Sequence, residues 1–120
     1  AAGLTPDQID LMQLYDCFTP ALLIQLEDLG FCRKGEGGDF LASGVTRPGG
    51  SKPLNTHGGM LSHCHPGNPG AMFGLTEAML QMRGAAQARQ LADIQTALCH
   101  AQGGIMSSHA TLILGVEETL

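Results

Sequence analysis

Side chains that could do chemistry gather in three stretches of the sequence, each close to glycine or proline. Residues 15–18 bring together a phenol, a carboxylate and a thiol, and residues 57–67 carry imidazoles and a further thiol. Residues 99–104 join a thiol and an imidazole to a pair of glycines. Phenol, thiol and imidazole groups transfer protons or attack carbonyl carbons. The three stretches therefore predict acid–base or nucleophilic chemistry at a carbonyl group.

Each stretch lies at the end of a predicted element. Residues 9–15 are mostly apolar and predict a strand covered on both faces. The first stretch follows that strand, at the sheet edge where α/β proteins usually bind ligands. The second stretch leads into a helix N-terminus, whose free N–H groups suit a carbonyl oxygen or an oxyanion. The third stretch ends another strand, predicted over residues 96–101.

The first predicted helix follows the first stretch. Thr19 is its expected N-cap, Pro20 its first helical residue and Gly30 its stop signal. The apolar face of this helix consists of Leu22, Leu23, Leu26 and Leu29. Residues 31–53 are too rich in glycine for a regular element, and they predict a long functional loop.

The second predicted helix has similar start and stop signals. Asn68 is the expected N-cap, Pro69 the first helical residue and Gly84 the stop signal. Four apolar side chains recur at a 3-4-3 spacing, share one face and are expected in the core: Met72, Leu75, Met79 and Met82.

The remaining segments complete an α/β pattern. A short strand is predicted from residue 53 into a glycine turn, and residues 85–92 fit either a helical piece or a loop. Residues 96–101 and 108–116 predict two strands, whose short connection at residues 102–104 favours antiparallel pairing. The order β-α-β-α-β-β predicts a layered α/β domain with a mixed sheet and covering helices.

Composition excludes several classes of protein. A chain of 120 residues builds one modest core, and a net charge of −5 with only 6 Lys and Arg argues against nucleic-acid binding. No apolar run is long enough to span a membrane.

The cysteines lack the paired spacing of a disulfide framework, which indicates free thiols in a reducing cytoplasm. The adjacent His63, Cys64 and His65 do not resemble the spaced ligands of structural zinc, so we predict no metal site.

The ordered motifs resemble the C-terminal half of thiolases of the sterol-carrier, lipid-transfer type. Thiolases carry Asn-Glu-Ala-Phe, then Gly-His-Pro in a glycine-rich loop, then a late Cys-x-Gly motif. The sterol-carrier type has His-Asp-Cys-Phe in place of the first motif and lacks the late cysteine. The matching segments here are Tyr15-Asp16-Cys17-Phe18, Asn55-Thr56-His57-Gly58-Gly59, His63-Cys64-His65-Pro66 and Gln102-Gly103-Gly104. The run also resembles bacterial thiolase-like proteins that work beside a DUF35 partner with a zinc ribbon and an OB-fold.

The resemblance implies roles for individual residues. His65 would activate a nucleophilic cysteine and help bind the thioester oxygen. Tyr15 replaces the family's Asn or His, and its phenol would hold the oxyanion or donate a proton. Cys17 would shuttle a proton to the substrate α-carbon, and His100 falls near the family's late cysteine. The glycines lining the coenzyme A (CoA) thioester site would be Gly59, Gly103 and Gly104.

The resemblance also implies that residues 1–120 form only part of a thiolase C-terminal half. The family's nucleophilic cysteine lies in the N-terminal half, and a strand and a helix precede the segment that begins at Gly3. That absent strand is expected between residues 9–15 and 96–101, which would leave two sheet edges open. We therefore expect a homo-oligomer or a larger assembly, and no turnover by the isolated chain.

Three functions remain open from the sequence. The leading one is Claisen-type acyl transfer on acyl-CoA thioesters, which are the expected substrate, with no covalently bound cofactor. The second is retro-aldol cleavage in which Tyr15 acts, beside a DUF35 partner. The third is a non-catalytic subunit that binds CoA or lipid. At the level of single residues, each histidine could instead be an ordinary loop or core residue, and Cys17 a small buried thiol.

Overall fold

The computed structural model describes residues 2–116, which form a mixed sheet with helices on both faces. This architecture confirms the predicted α/β class. The strands are β1 (Leu11–Leu14), β2 (Thr96–Gly103) and β3 (Ser108–Gly115). The helices are α1 (Thr19–Asp28), α2 (Gly37–Ala42), α3 (Gly59–Ser62) and α4 (Gly70–Met82), with single 3₁₀ turns at Pro6–Gln8 and Gln87–Arg89.

The sheet has the order β1-β2-β3. Strand β1 runs parallel to β2, with Leu11 opposite Ala97 and Leu14 opposite His100. Strands β2 and β3 form the predicted antiparallel hairpin. The expectation of an absent strand between residues 9–15 and 96–101 is wrong for this structure, because β1 and β2 exchange hydrogen bonds directly. The connection that carries the four helices is long enough to bring two parallel strands side by side.

The outer edge of β1 is covered by the chain itself. The Met12 N–H donates to the Pro53 carbonyl at 2.9 Å, and the Asn55 N–H donates to the Met12 carbonyl at 2.9 Å. The Asn55 amide then brackets Leu14, accepting its N–H at 2.8 Å and donating to its carbonyl at 2.9 Å. The short strand predicted from residue 53 is therefore a single bridge, Met12 to Leu54, and it leaves no open edge on β1.

Two clusters of buried residues lie on opposite faces of the sheet. The first joins β1 to α1 and contains Ile9, Met12, Leu14, Leu22, Leu26 and Leu98. The second joins β1 and β2 to α4 and contains Leu11, Ala78, Ile94, Ala97 and Cys99. Successive strand residues point to opposite faces, so Met12 and Leu14 meet α1 while Leu11 and Gln13 lie on the α4 side.

Three local predictions need correction. Helix α1 begins at Thr19 itself, with Phe18 as its N-cap, and α4 begins at Gly70 with Pro69 as its N-cap. The glycine-rich segment 31–53 contains α2, although no regular element was predicted there. Gly37 opens α2 beside Glu27, whose Oε1 accepts its N–H at 3.1 Å, and an added Cβ would lie 3.0 Å from that oxygen. The glycine is therefore a packing requirement at a helix start and does not mark a loop.

The predicted core face of α4 is confirmed in part: Leu75 and Met82 pack against the second cluster, whereas Met72 and Met79 do not. Met72 is 56% exposed and Met79 is 39% exposed. The buried residues of α4 are instead Gly70, Glu77, Ala78 and Gln81. Small residues allow the helix to approach the sheet closely, and a Cβ at Gly74 would lie 3.2 Å from Gln13 Cβ.

A polar network anchors the end of α4 to the segment left open at residues 85–92, which contains one 3₁₀ turn. Glu77 pairs with Arg89 at 2.9 Å and accepts hydrogen bonds from Thr56 and Gln81. Burial would raise the pKa of Glu77, but the hydrogen bonds from these three side chains outweigh it and lower that pKa. Gln81 also accepts the Leu91 N–H at 2.8 Å, so a charged and a neutral polar group are both satisfied inside the fold.

Within residues 2–116, no helix combines the length and apolar character needed to cross a membrane.

Removing a core side chain from α1 should destabilise the domain strongly. Leu26 is fully buried, so Leu26→Ala should lower the free energy of unfolding by about 3 kcal/mol through lost burial and the cavity left behind. Ile24, on the same helix, is 44% exposed and Ile24→Ala is the matched control. Urea unfolding of both variants measures the difference, and equal losses would contradict the packing described for α1.

Candidate functional site

Tyr15 occupies the turn between β1 and α1, and Gln25 holds its backbone there. Gln25 Oε1 accepts the Tyr15 N–H at 3.1 Å, and Gln25 Nε2 donates to the carbonyls of Tyr15 at 2.7 Å and Ala21 at 3.0 Å. Gln25 is 3% exposed. Gln25 was not among the residues predicted from the sequence. Its position three residues after Leu22, on an otherwise apolar helix face, could have indicated a buried polar side chain.

The phenol of Tyr15 contacts the imidazole of His65. Tyr15 Oη lies 3.2 Å from His65 Nε2, and the rings meet edge to face with centroids 5.6 Å apart. Burial, and next the nearby Cys17, raise the pKa of Tyr15, so its hydroxyl keeps its proton near neutral pH. The hydroxyl and the ring nitrogen are within hydrogen-bonding distance of each other. The two groups form a pair through which one proton can move.

The loop that carries His65 is tied to the β1–α1 turn by Asp16. The Asp16 carboxylate is 5% exposed and accepts the Met60 N–H at 2.6 Å and the Leu61 N–H at 3.5 Å. Gly59 lies against it with φ +66°, and an added Cβ would be 2.2 Å from Asp16 Oδ2. The resemblance suggested that Gly59 lines the ligand site; the structure places it in a backbone contact that positions the loop.

The third stretch reaches the first through Cys17. Gln102 Nε2 donates to Cys17 Sγ at 3.0 Å, which brings the end of β2 beside the β1–α1 turn. Gly103 is the last residue of β2, and Gly104 begins the hairpin turn with φ +57°. Both glycines lie near this contact in sequence, but neither lines the cavity described below.

His100 lies on β2 and is paired within the hairpin. Its Nδ1 is 2.7 Å from Thr111 Oγ1, its Nε2 is 3.2 Å from His109 Nδ1, and the two imidazole rings stack with centroids 5.4 Å apart. Burial, followed by the nearby His109, lowers the pKa of His100, so it is neutral near pH 7. The His100 side chain near the site is therefore an uncharged imidazole.

A cavity of about 210 Å³ opens between β1, α4 and the hairpin. Tyr15, His100, Gln13 and His57 line it together with apolar side chains. The main apolar contributors are Met60, Ala71, Met72, Leu75 and Leu112. An apolar cavity with a few polar groups at its wall is the usual form of a small-molecule site.

The structure thus brings the three reactive stretches together. Tyr15 meets His65, Cys17 meets Gln102, and His100 shares a cavity wall with Tyr15. Cys99 also lines the cavity, and burial raises the pKa of its thiol to about 11, so it stays a neutral thiol. In the described part of the chain, no three His, Cys, Asp or Glu side chains are arranged to hold a metal ion.

Comparison with known proteins identifies the family of this chain. A family profile described as "Thiolase C-terminal domain-like" matches residues 1–116. The chain belongs to this family. The resemblance read from the ordered motifs is thereby confirmed.

Two relatives and one solved structure illustrate the similarity of this thiolase-like chain. It is 44% identical over 114 residues to "17-hydroxy-3-oxo-4-pregnene-20-carboxyl-CoA lyase" of Mycobacterium tuberculosis, covering 95% of this chain and 28% of that protein. It is 39% identical over 103 residues to "Acetyl-CoA acetyltransferase" of Methanothermobacter thermautotrophicus, covering 86% of this chain and 27% of that protein. A solved structure named "Ltp2-ChsH2(DUF35) aldolase" matches 94% of this chain and 28% of its own, with a TM-score of 0.83 and 42% identity. The chain therefore spans little more than a quarter of the length of these relatives.

Adding one methyl group at Gly59 should loosen the site. Gly59→Ala forces a Cβ into the Asp16 carboxylate at a left-handed φ, so the Met60 and Leu61 hydrogen bonds should be lost. We expect the thermal midpoint to fall by several degrees. Gly38→Ala in α2 is the control, because a Cβ there meets nothing within 4 Å. An unchanged midpoint for Gly59→Ala would refute the contact.

Stability should fall in mild acid. Burial lowers the pKa of both His57 and His100, so below the ordinary value of about 6.5 the unfolded chain binds protons that the folded chain excludes. The thermal midpoint should therefore drop as pH decreases through that value. Thermal scans between about pH 8 and pH 5.5 measure the slope, which His57→Phe should reduce. An unchanged slope in this variant would show that His57 is not responsible.

Proposed function

We propose that this chain supplies part of the active site of an aldolase that cleaves a β-hydroxyacyl-CoA thioester. The observation that carries the proposal is the 3.2 Å contact between Tyr15 Oη and His65 Nε2 beside an apolar cavity. A phenol held against an imidazole can pass its proton to the ring as it takes a proton from a substrate hydroxyl.

The proposed reaction balances with groups of this chain alone. As the Tyr15 phenol passes its proton to His65 Nε2, it takes the proton of the substrate's β-hydroxyl. The oxygen electrons form a new C=O bond, the bond between Cα and Cβ breaks, and its electrons pass to the thioester as an enolate. A proton delivered to Cα completes the shorter acyl-CoA, and Cys17, held by Gln102, is the candidate donor. The proton left on His65 then returns through solvent to the Cys17 thiolate, which restores both groups.

Similarity supports this choice over acyl transfer. One relative is named a CoA lyase and the solved structure an aldolase, and retro-aldol cleavage requires no nucleophilic cysteine. The name of the solved structure also includes a DUF35 component, so we propose a partner of that type. Cys17, Cys32, Cys64 and Cys99 are all free thiols, which favours a reducing, cytoplasmic location. The chain would act as part of a longer polypeptide or an assembly, and alone it would not turn over substrate.

Thiolase-type acyl transfer is the second candidate. It is favoured by the relative named acetyl-CoA acetyltransferase and by the placement of His65, which a cysteine from another segment could approach. Under this alternative Tyr15 would stabilise the thioester oxyanion, and its hydroxyl would serve as a hydrogen-bond donor rather than as a proton relay.

Replacing the phenol tests the proposal. In the complete protein with its partner, Tyr15→Phe should lower kcat for ketone release from a β-hydroxyacyl-CoA by about 100-fold or more, with little change in KM. His65→Ala should have a similar effect. The matched control is His63→Ala, because His63 packs on His57 and Phe73 and has no hydrogen bond to Tyr15.

The outcomes separate the alternatives. Activity of His65→Ala within about threefold of the parent would rule out its role. CoA-dependent thiolysis of a 3-oxoacyl-CoA, without ketone release, would favour acyl transfer. Binding of acyl-CoA with neither reaction would favour a non-catalytic subunit.

A further inference from the structure

A row of hydrogen-bonded side chains crosses the β2–β3 hairpin beside α1. His100 Nδ1 lies 2.7 Å from Thr111 Oγ1, and His100 Nε2 lies 3.2 Å from His109 Nδ1. His109 Nε2 lies 3.0 Å from the Met106 carbonyl oxygen. Both imidazoles line a cleft between the hairpin and α1, and the row ends on the backbone of the hairpin turn.

The last of these contacts fixes where the protons lie. A carbonyl oxygen can only accept, so His109 carries its proton on Nε2, and its Nδ1 is an acceptor while the ring is neutral. His100 must therefore donate from Nε2, which leaves its own Nδ1 to accept the Thr111 hydroxyl proton. With both rings neutral, every ring nitrogen has one defined partner.

The pair of imidazoles can bind one proton, but not two, without losing a hydrogen bond. A first proton on His100 Nδ1 is accommodated, because the Thr111 hydroxyl can rotate to accept from it. A second proton on His109 Nδ1 meets the His100 N–H, so the bond between the rings is lost and two cations face each other. Repulsion then moves the His109 ring away from His100, which disturbs its contact with the turn at Met106.

The surroundings of the pair favour this behaviour. The elements packed against the hairpin bring titratable groups to its cavities or to its strand: Asp28, Tyr15 and Cys17. Asp28 is already paired with Lys34, and residues 94–116 contain no Asp, Glu, Lys or Arg. Burial, and next the nearby His109, lower the pKa of His100. The folded pair therefore binds its second proton less readily than the unfolded chain, and its contribution is lost as the pH falls below about 6.5.

The turn that His109 contacts has an unfavourable backbone conformation. Ile105 and Met106 have φ angles of +56° and +60°, in the left-handed region that a β-branched residue rarely adopts. Such a conformation persists where surrounding contacts fix it. The His109 side chain supplies one such contact, and the Ser107 N–H, which donates to the Gly103 carbonyl at 3.1 Å, supplies another.

Gln102 connects this turn to the proposed site. It lies directly opposite His109 in the hairpin register and donates to Cys17 Sγ at 3.0 Å. We infer that His109 is a positioning residue, which holds the hairpin turn and so keeps Gln102 against Cys17 until acid breaks its bond to His100. The inference rests on the proposed function in one respect, since it takes Cys17 to be the proton donor to Cα.

Hydrogen exchange at the turn tests this role without any turnover. In the complete protein with its partner, the parent is compared with His109→Ala and with His109→Gln, whose amide can accept from His100 and donate to Met106 but cannot bind a proton. At about pH 7.5 the peptide around Ser107 should exchange alike in the parent and His109→Gln, and at least about fivefold faster in His109→Ala. At about pH 5 the parent should match His109→Ala, while His109→Gln stays slow. Equal exchange in the parent and His109→Gln at both pH values would overturn the inference.

Activity decides whether the turn serves Cys17. At about pH 7.5, His109→Ala should lower kcat for ketone release about tenfold with little change in KM, and His109→Gln should stay within about twofold of the parent. Towards about pH 5, kcat should fall more steeply for the parent than for His109→Gln. An unchanged kcat in His109→Ala would overturn the inference even if the turn exchanges as expected. No ketone release from the parent would refute the proposed function and the link to Cys17, whereas the exchange data would still decide whether His109 holds the turn.

Discussion

The Asp16 carboxylate, held against the backbone amides of Met60 and Leu61, is the contact on which the arrangement of the site depends. Strand β1 ends one residue before Tyr15, and His65 lies in the loop after α3, three residues beyond Ser62. Nothing in either local segment brings the phenol and the imidazole together. The carboxylate does so by accepting hydrogen bonds from the loop backbone, at 2.6 Å in the shorter case. The absent side chain of Gly59 makes that approach possible.

Asn55 supports the same junction from the other side. Its side-chain amide accepts the Leu14 N–H and donates to the Leu14 carbonyl, as the backbone of a neighbouring strand would. The last residue of β1 is therefore held at both backbone groups. Gln25 then holds the next residue, Tyr15, in the same two-sided manner. Side-chain amides thus replace sheet pairing where the strand gives way to the turn. A rigid turn is what a proton-transfer pair requires, since small displacements weaken proton transfer steeply.

Buried polar groups in this fold divide into two kinds. Asp16, Gln25 and Glu77 have their hydrogen bonds satisfied within the chain, and they position backbone segments. Within residues 2–116, Gln13 Oε1, Gln102 Oε1 and both ring nitrogens of His57 are buried without a hydrogen-bond partner. Such unpaired buried atoms are rare in folded proteins.

Much of the architecture was predictable from local patterns. Glycine and proline punctuation located α1 and α4 to within a residue or two, and the apolar runs located β1 and the β2–β3 hairpin. The order of the motifs placed the chain in the thiolase family. The sequence also indicated that the three reactive stretches follow strands or precede a helix, so their convergence at one sheet edge could be expected from topology.

What the sequence by itself determined was therefore the order of β1, α1, α4, β2 and β3, the family and the side chains available for chemistry. Only the tertiary structure decided that α4 buries Gly70 and Ala78 rather than Met72, because that choice depends on how closely a helix can approach Gln13 on a distant strand. It also decided that β1 pairs directly with β2. Hydrophobic periodicity and helix caps depend on residues that are neighbours in the sequence. Close packing and hydrogen-bond satisfaction depend on contacts between residues far apart in the chain.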